Sequence, residues 1–411
     1  MDIAVPESSG MGTRKGKPRI GVDACCWSNR RGFGRFTREL LTTLVATDRE
    51  HEYVFFVDGH TARASEFPPE VKLVVASTEV SPTVAASASG NRSLKDLWAL
   101  SRVVLREPID LFYFPAVYSY FPIFNRCKVI VTIHDMIADH HPERAFSNRK
   151  SLLFWKLKQR VALWQSDMIL TVSNHAKQQI VEHCRIPAAR VETTTEGSSE
   201  VFAPLPDLGE ATTVLGKYGL RSGEPFLIYV GGISPHKNLG ILVDAFHLLV
   251  ADSRFADHKL ALVGDYKDDV FFSHYAELKA EVEERGLADR LFFTGFVPDS
   301  ELVILYNNAR ALVLPSLEEG FGLPAVEAMA CGIPVIASDR GSLPEVVGEA
   351  GVFFDPSRAD MLVTLLRDVL NNKSHRESMS RVGLERSKLF TWKLAAQSTA
   401  ALFHRVLHEG Y

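Results

Sequence analysis

Two glutamates eight positions apart, Glu319 and Glu327, enclose the glycine-containing stretch EGFGLPAVE. The preceding residues 311–316 are apolar as in a strand, and Pro324 predicts that a helix begins there. One carboxylate then lies at the mouth of a loop and the other about one turn inside a helix. Carboxylates accept hydrogen bonds from hydroxyl groups, and the backbone N–H groups of residues 320–323 donate to phosphate oxygens. The pattern therefore predicts a site for a nucleotide-sugar.

A lysine in a second loop could hold the phosphate. Lys237 in GGISPHKNL (231–239) follows an apolar strand and precedes an apolar helical stretch. A cation in the first turn of a helix is unfavourable unless an anion binds there too. Phosphate is the anion we expect, and a solvated surface lysine is the alternative.

The first half of the chain offers two further candidates. Gly34 in GFGRFTREL (32–40) precedes a helical run, so its backbone could approach an anion, although a flexible loop is the simpler interpretation. His134 follows the apolar strand VIVTI, at the edge of a parallel sheet where ligands bind. A packed, hydrogen-bonded histidine is the alternative. A dinucleotide fingerprint is incomplete, because Thr37 stands where the third glycine belongs.

Composition limits the class of protein. The chain has 411 residues, 46% hydrophobic and 23% charged, which is typical of a globular protein with two domains. The N-terminus lacks the apolar centre of a signal peptide. The five cysteines form no CxxC pair, which favours reduced thiols in the cytoplasm and no metal knuckle. The histidines near 134 also lack metal-ligand spacing, so we expect no metal and no cofactor.

Short apolar strands alternate with amphipathic helices along both halves, which predicts an α/β fold with parallel sheets. We expect a flexible lead at 1–18, a first domain at 19–206, a linker at 207–225, a second domain at 226–390 and a closing helix at 391–411. The predicted strands are 19–24, 53–58, 111–116, 128–135, 168–173 and 190–197, followed by 226–232, 259–264, 290–295, 311–316, 334–338 and 351–356.

Several segments of the chain resemble the motifs of a known protein family. EGFGLPAVE, with PS before it and EAMACGIPVIAS after it, resembles the two-glutamate motif of retaining GT-B glycosyltransferases of the GT4 family. The likeness continues through YVGGISPHKNL, LFFTGFVPDSELVILYNNARALVLPS and GSLPEVVGEAGVFFDP. It is thinner in the first half, where it rests on GFGRFTREL, TIHD and TVSNHAK.

The resemblance implies two Rossmann-like domains that face a cleft, and it implies roles for individual residues. Glu319 would contact the hydroxyls of the donor sugar, Lys237 the diphosphate and Glu327 the ribose. His134 would face the reacting sugar, and these residues would act without a metal ion. The remaining donor contacts implied by the family are Gly34 at the phosphate, Gly295 and Val297 at the base, and the backbone of Phe321, Gly322 and Leu323 at the sugar and phosphate.

One departure from the family pattern concerns the diphosphate. The family often carries Arg where this sequence has Gly232, so Arg35 or another basic residue would have to replace it. The Lys237-Asn238 pair is similar to bacterial polysaccharide mannosyltransferases, which implies GDP-mannose as donor and a saccharide or lipid-linked saccharide as acceptor. No nucleic-acid partner is expected. A nucleotide-sugar epimerase or a non-catalytic sugar-nucleotide-binding protein on the same scaffold is the alternative.

The segment RKSLLFWKLKQR (149–160) mixes apolar and basic residues within a first half that carries 26 Lys and Arg against 22 Asp and Glu in residues 1–206. A helix of this kind usually packs its apolar side into the core. The alternative is peripheral contact with an anionic bilayer at the inner face of the membrane, with Leu152, Leu153, Trp155 and Leu157 at the interface.

Overall fold

Two parallel sheets with flanking helices make up the computed structural model, which describes residues 16–79, 93–142, 146, 148–206, 211–266 and 273–409. Residues 1–15, most of the expected lead, lie outside the described residues. The predicted α/β fold with two Rossmann-like units is confirmed.

The first sheet has seven parallel strands in the order β3-β2-β1-β4-β5-β6-β7. Six of them were predicted, and the seventh, β3, was missed because it is an edge strand whose Leu73 and Val75 are exposed. The strands are β1 Arg19–Asp23, β2 Glu52–Asp58, β3 Lys72–Ala76, β4 Leu111–Phe114, β5 Lys128–Thr132, β6 Met168–Thr171 and β7 Val191–Thr193.

The second sheet has six parallel strands in the order β10-β9-β8-β11-β12-β13, and the sequence predicts all six. The four strands β8, β9, β11 and β12 are almost completely buried, which is why they read as continuous apolar runs. The strands are β8 Phe226–Val230, β9 Lys259–Val263, β10 Leu291–Gly295, β11 Ala311–Leu314, β12 Val335–Ser338 and β13 Gly351–Phe354.

Helices connect the strands, and several begin at a polar side chain that accepts a hydrogen bond from the first turn, as Ser93, Asn148, Ser173 and Thr391 do. The helices are α1 Gly32–Thr47, α2 Gly59–Ala64, α3 Leu94–Leu105, α4 Ile137–His140, α5 Arg149–Gln165, α6 Asn174–Cys184, α7 Ala211–Lys217, α8 Leu239–Val250, α9 Tyr275–Glu284, α10 Asp299–Asn308, α11 Leu323–Ala330, α12 Leu343–Val347, α13 Ala359–Asn371, α14 Lys373–Ser387 and α15 Trp392–His408.

The order of strands reverses between β1 and β4 in one sheet and between β8 and β11 in the other. Ligands of open α/β sheets bind outside the carboxyl ends of the strands at such a reversal. The loops after β8 and β11 carry Lys237 and Glu319, so the second sheet places both residues at its reversal.

The chain passes between the two halves twice, and the two passages lie side by side. Ser198 forms a parallel β-bridge with Thr391. A Cβ atom on Gly197 would lie 2.3 Å from the backbone nitrogen of Trp392, so only glycine permits this approach. Helix α15 then packs against the first half, where Phe403 meets Tyr113 at a ring distance of 5.2 Å and Trp392 meets Phe36 at 5.9 Å.

The stretch predicted as a linker, 207–225, is not without structure. It contains α7, whose Leu215 is buried. Helix α7 lies against α10, and Lys217 pairs with Glu301 there at 2.5 Å.

Candidate functional site

The loop after β11, residues 316–322, is called the glycine loop below, and its acid Glu319 is held by a cation from the neighbouring strand. Lys237 ends the short 3-10 turn Pro235–Lys237 that follows β8. Its Nζ donates to Glu319 Oε1 at 2.7 Å and to Oε2 at 2.8 Å. Ser316 Oγ donates to the same Oε1 at 2.7 Å. Two predicted site residues are therefore in direct contact.

The ionisation of Glu319 follows from these contacts. Burial raises the pKa of its carboxyl, but the charge of Lys237 and the hydrogen bonds from Lys237 and Ser316 outweigh burial and hold the pKa below its usual value. The site thus carries a carboxylate and an ammonium that face each other, and their side chains, 12% and 18% exposed, can still be reached by a polar ligand.

The turn that carries Lys237 is fastened to the glycine loop. Asn238 adopts the left-handed conformation, with φ of 55°. Its amide donates to the carbonyl oxygens of Pro315 and Pro356 at 3.2 and 2.9 Å. Leu317 N donates to His236 O at 2.8 Å. The hydrogen bonds of Asn238 therefore fix the turn and with it the position of Lys237.

The remaining predicted residues of the glycine loop offer their backbone to the site. The side chains of Phe321 and Leu323 are buried in the core. Ser342 Oγ donates to Phe321 O at 2.8 Å and to Glu319 O at 3.1 Å, which fixes the course of the loop. Gly322, with φ of 95°, leads into α11. The first amides of α11 are thus presented at the carboxyl end of β11.

Glu327 lies inside α11 and is almost completely buried. Tyr306 donates its hydroxyl to Oε2 at 3.2 Å, and Arg35 Nη1 lies 2.8 Å from Oε1. Burial raises the pKa of Glu327 to about 7, although Arg35 and Tyr306 favour the carboxylate. This carboxyl group therefore changes its charge near neutral pH.

Arg35 comes from α1 of the first half and crosses to the second. Its Nη2 donates to Asp299 Oδ2 at 2.8 Å, and its guanidinium lies 5.2 Å from the centre of the Phe202 ring. Burial lowers the pKa of Arg35, but Glu327 and Asp299 outweigh burial and raise it. The sequence suggests Arg35 as a substitute for the arginine that the family often carries where this chain has Gly232. In this structure Arg35 forms an ion pair with Glu327 instead.

His134 lies at the end of β5, where it is buried in a cage of first-half residues. Its Nε2 donates to Pro115 O at 2.9 Å, and Phe36 packs edge-on against the ring at 4.7 Å. Nδ1 faces Glu196 Oε1 at 3.6 Å. The neighbouring Asp135 is buried, which raises its pKa. The histidine thus has a fixed orientation.

Three other predicted residues occupy the edges of the site. Gly34 lies in the first turn of α1, and a Cβ there would lie 2.2 Å from Asn29 O, so its own loop already requires glycine. Gly295 ends β10 with φ of 73°, and Val297 is buried just after it. Sequence and structure agree on where these residues lie, and their contacts with a ligand stay predictions.

The two halves meet at the glycine loop. A Cβ on Gly320 would lie 2.5 Å from His134 O, so the loop can reach the histidine only because this residue is glycine. Ser173, which precedes α6, donates its Oγ to Gly320 O at 2.6 Å. These contacts bring His134 beside the loop that carries Glu319.

Sequence reasoning missed the acid that anchors this contact. Glu318 is buried and points into the first half, where Gln179 Nε2 donates to its Oε1 at 2.7 Å. His140 Nδ1 lies 3.2 Å from the same oxygen, and His141 Nε2 lies 3.6 Å from Oε2. The only signal in the sequence is that Glu318 directly precedes Glu319, so that the two side chains must diverge.

A second missed acid binds the beginning of α6. Glu345 Oε1 accepts from Asn174 N at 3.0 Å and from its side-chain amide at 2.9 Å. Oε2 accepts from His175 N at 3.1 Å. A carboxylate at a helix N-terminus is favourable because the free N–H groups and the dipole attract it. Helix α6 is therefore held by the second half through Glu318, Gly320 and Glu345.

Comparisons with known proteins identify this arrangement. The model of the glycosyl transferases group 1 matches residues 212–386, and that of glycosyltransferase family 4 matches residues 30–197. The O-antigen chain mannosyltransferase B of Escherichia coli is 34% identical over 280 residues, which are 66% of this chain and 69% of that protein. The chain belongs to the group 1 glycosyltransferases, family GT4. It spans about a third of the length of the longer serotype-specific mannosyltransferases that it also matches.

Solved structures show the same fold for this glycosyltransferase. Sucrose-phosphate synthase from Thermosynechococcus elongatus has a TM-score of 0.74 at 19% identity and covers 96% of this chain and 100% of its own. Anabaena HepE in complex with UDP-glucose has a TM-score of 0.69 at 17% identity and covers 94% and 99%. The expected GT-B fold is confirmed.

The contact of Glu318 with α6 generates a prediction for this glycosyltransferase. We expect Glu318→Ala to lower kcat roughly tenfold or more, because a buried hydrogen bond to a charged group is worth about 1.5–3 kcal/mol. The affinity for nucleotide should change little, since Glu318 faces away from Lys237 and Glu327. Steady-state kinetics and calorimetric titration with nucleotide separate the two effects.

A double-mutant cycle with Gln179→Ala tests whether the effect passes through this contact. Residues in contact give non-additive effects, so the double variant should lose little more activity than Glu318→Ala alone. Additive losses would contradict the assignment. The exposed Glu349, replaced by Ala, is the matched control.

Proposed function

We propose that the protein transfers a hexose, mannose in our assignment, from a nucleotide diphosphate to a saccharide acceptor with retention of the anomeric configuration. The observation that carries the proposal is the half-buried Lys237–Glu319 pair at the strand reversal, beside His134 from the other half. The 34% identity to an O-antigen chain mannosyltransferase supports mannose and a surface polysaccharide. The Lys237-Asn238 pair supports GDP-mannose as the donor.

The roles of the charged residues follow from the chemistry of a departing nucleotide diphosphate. Positive charge develops at the anomeric carbon and negative charge on the leaving oxygens, so a fixed cation beside those oxygens lowers the barrier. Lys237 takes this role, Glu319 binds sugar hydroxyls, and Glu327 binds the ribose. When the ribose binds to the Glu327 carboxylate, it displaces the Arg35 guanidinium. Arg35 is then close enough to bind the phosphates of the nucleotide.

Retention requires either a covalent intermediate on a carboxylate or attack from the same face as the leaving group. Asp135 is the acid beside His134, but its pKa is raised by burial and its Oδ1 accepts from Ile137 N at 3.0 Å. A carboxyl group whose oxygen already accepts a backbone hydrogen bond is a poor nucleophile. We therefore favour front-face attack, in which the departing phosphate accepts the acceptor's proton.

The acceptor in this proposal is a saccharide or a lipid-linked saccharide on the cytoplasmic side of a membrane. All five cysteines are free thiols, which fits a reducing compartment. The first half, which bears the acceptor side of the cleft in this proposal, carries exposed apolar and basic side chains on α5.

Transfer is tested by nucleotide release. With GDP-mannose and a mannose-terminated oligosaccharide, we expect GDP to appear only when the acceptor is present, which separates a transferase from an epimerase. Lys237→Ala and Glu319→Gln should each lower the rate roughly a hundredfold to a thousandfold while the melting temperature shows that the fold is intact. Lys373→Ala and Glu349→Gln, at exposed positions, are the matched controls. Turnover near that of the wild type in either site variant would remove the residue from the site.

The pKa of Glu327 predicts a pH dependence of donor binding. The ionised carboxylate accepts hydrogen bonds from the ribose hydroxyls better than the neutral acid does. The affinity for the donor should therefore rise as pH increases through about 7. Between pH 6 and pH 8 the gain should be about tenfold for one group with this pKa. Titration with GDP-mannose, whose diphosphate does not change charge in this range, measures it. A pH dependence that persists in Glu327→Gln would assign the effect to another group.

Metal dependence is tested by chelation. Because Lys237 and backbone N–H groups at the glycine loop supply the charge that a divalent cation would otherwise provide, we expect transfer to continue in excess EDTA. Initial rates before and after treatment decide the matter. If EDTA abolishes activity and Mn²⁺ restores it, the diphosphate is held by a metal ion.

A further inference from the structure

Helices α3 and α5 cover the same side of the first sheet. Their inward residues, among them Leu100 and Trp155, share one core cluster with Phe112, whereas α1 and α15 pack in the other cluster. One short strip of chain lies between the two helices. Ser101 Oγ of α3 donates to Pro122 O at 2.7 Å, and Gln165 Nε2 of α5 donates to Ile123 O at 2.8 Å. The outward sides of α3 and α5 therefore form one continuous surface, called the outer face below.

The outer face is apolar where a surface helix is normally polar. In each helix three large apolar residues at positions i, i+4 and i+11 point outward, a spacing that places them in one stripe. Trp164 is 80% exposed and Leu94 78%. Phe124, from the strip between the helices, lies 6.0 Å from the ring of Trp98. The exposed apolar residues of this face are Leu94, Trp98, Leu105, Phe124, Leu153, Leu157 and Trp164.

The membrane alternative places Trp155 at the interface, and the structure corrects this single position. Trp155 is buried, and its Nε1 donates to Asp139 Oδ1 at 3.2 Å. Lys158 turns inward, where it donates to Tyr118 O at 3.0 Å. The core stripe and the outward apolar stripe occupy opposite sides of the same helix.

The charge of the outer face has one sign. Within residues 93–106, 117–128 and 148–165 the single acidic residue is Asp96, which is buried and accepts from Glu79 N at 2.8 Å. The exposed basic residues in these ranges are Lys95, Arg102, Arg106, Arg126, Arg149, Lys150, Lys156 and Arg160. Basic residues around exposed Trp, Phe and Leu match the surface of an anionic bilayer, where the aromatic rings enter the interface and the cations meet lipid phosphates.

We propose that the outer face, formed by α3, α5 and Phe124, binds an anionic lipid bilayer peripherally. A nucleic acid would use the cations but leave the leucines and tryptophans uncovered. No helix in the described part of the chain is long and apolar enough to cross a membrane. The inference rests on the proposed function only where it names a lipid-linked acceptor, and the surface itself is independent of the chemistry.

The inner side of α5 connects the outer face with the cleft. Trp155 and Gln159 both donate to Asp139 of α4, which follows His134 and Asp135. Tyr118, which stacks on Trp155 at 5.4 Å, also contacts Phe33 beside Gly34. A chain of direct contacts thus leads from α5 through Tyr118 to Phe33 at the start of α1, and through Asp139 to the loop that carries His134.

Vesicle binding tests the proposal without any need for catalysis. Full-length protein is sedimented with vesicles of phosphatidylglycerol and phosphatidylcholine in equal parts, and with phosphatidylcholine alone. We expect binding to the anionic vesicles at low salt, and at least tenfold weaker binding to the neutral ones or in 0.5 M NaCl, where the Debye length is only a few ångströms. No binding to the anionic vesicles would overturn the proposal.

Two variants separate the apolar and the charged contribution. Leu153→Ser with Leu157→Ser and Trp164→Ser, and separately Lys156→Gln with Arg160→Gln, should each weaken binding at least tenfold. All five side chains are exposed, so the fold should persist. Leu248→Ser with Leu389→Ser, exposed positions in the second half, is the matched control and should bind as the wild type does.

The remaining outcomes are also decisive. If the apolar variant binds vesicles unchanged, the outer face does not bind the bilayer and the proposal is wrong. If the variant converts a dimer in solution into a monomer, the outer face serves a second copy of the chain and the proposal is also wrong. Intact vesicle binding by a protein that transfers no sugar would overturn the proposed function alone. Transfer to a soluble acceptor without vesicle binding would overturn the outer-face proposal alone.

Discussion

Two neighbouring carboxylates that point in opposite directions organise this molecule. Glu319 turns inward to Lys237 within the second half, and Glu318 turns outward to Gln179 and His140 of the first half. Glu318 is buried and the side chain of Glu319 is only 12% exposed, and a charge so far removed from water is stable only with its partners in place. The position of Glu319 is therefore tied to the approach of the opposite half.

The same principle explains why so many charges lie within the interface between the halves. Removing charges from water is costly, and a buried ion pair is weak evidence for stability. Glu327 is buried, and the side chains of Arg35 and Lys237 are only 16% and 18% exposed, so these charges need little further desolvation when a ligand binds. Such fixed charges act more strongly on a developing charge than the same groups would in water.

The sequence predicts the architecture well because the central strands are buried on both faces and appear as short apolar runs. It fails at β3, where three of the five side chains are exposed at the edge of the sheet. Lys237, Glu319 and Glu327 could be found because each belongs to a local pattern of strand, glycine and helix.

Contacts between distant segments leave no such pattern. Glu345 binds the first turn of α6 across 171 positions of sequence, and Arg35 reaches Glu327 from the other half. Nor can helical periodicity decide which stripe faces the core when a helix has two. In α5 the sequence does not show which of Trp155 and Trp164 is the buried tryptophan. Only the packing of Trp155 against Asp139 shows that Trp155 is buried.

The bridge between Ser198 and Thr391 has a mechanical consequence. Two chain passages that cross between the halves at separate points would resist rotation, whereas two passages bonded side by side share a single axis. The halves can then rotate about this line as about a single hinge, while α15 stays packed on α1. A small rotation there produces its largest displacement far from the axis. Any contact of one half with the other must therefore tolerate an arc of movement rather than a parallel slide.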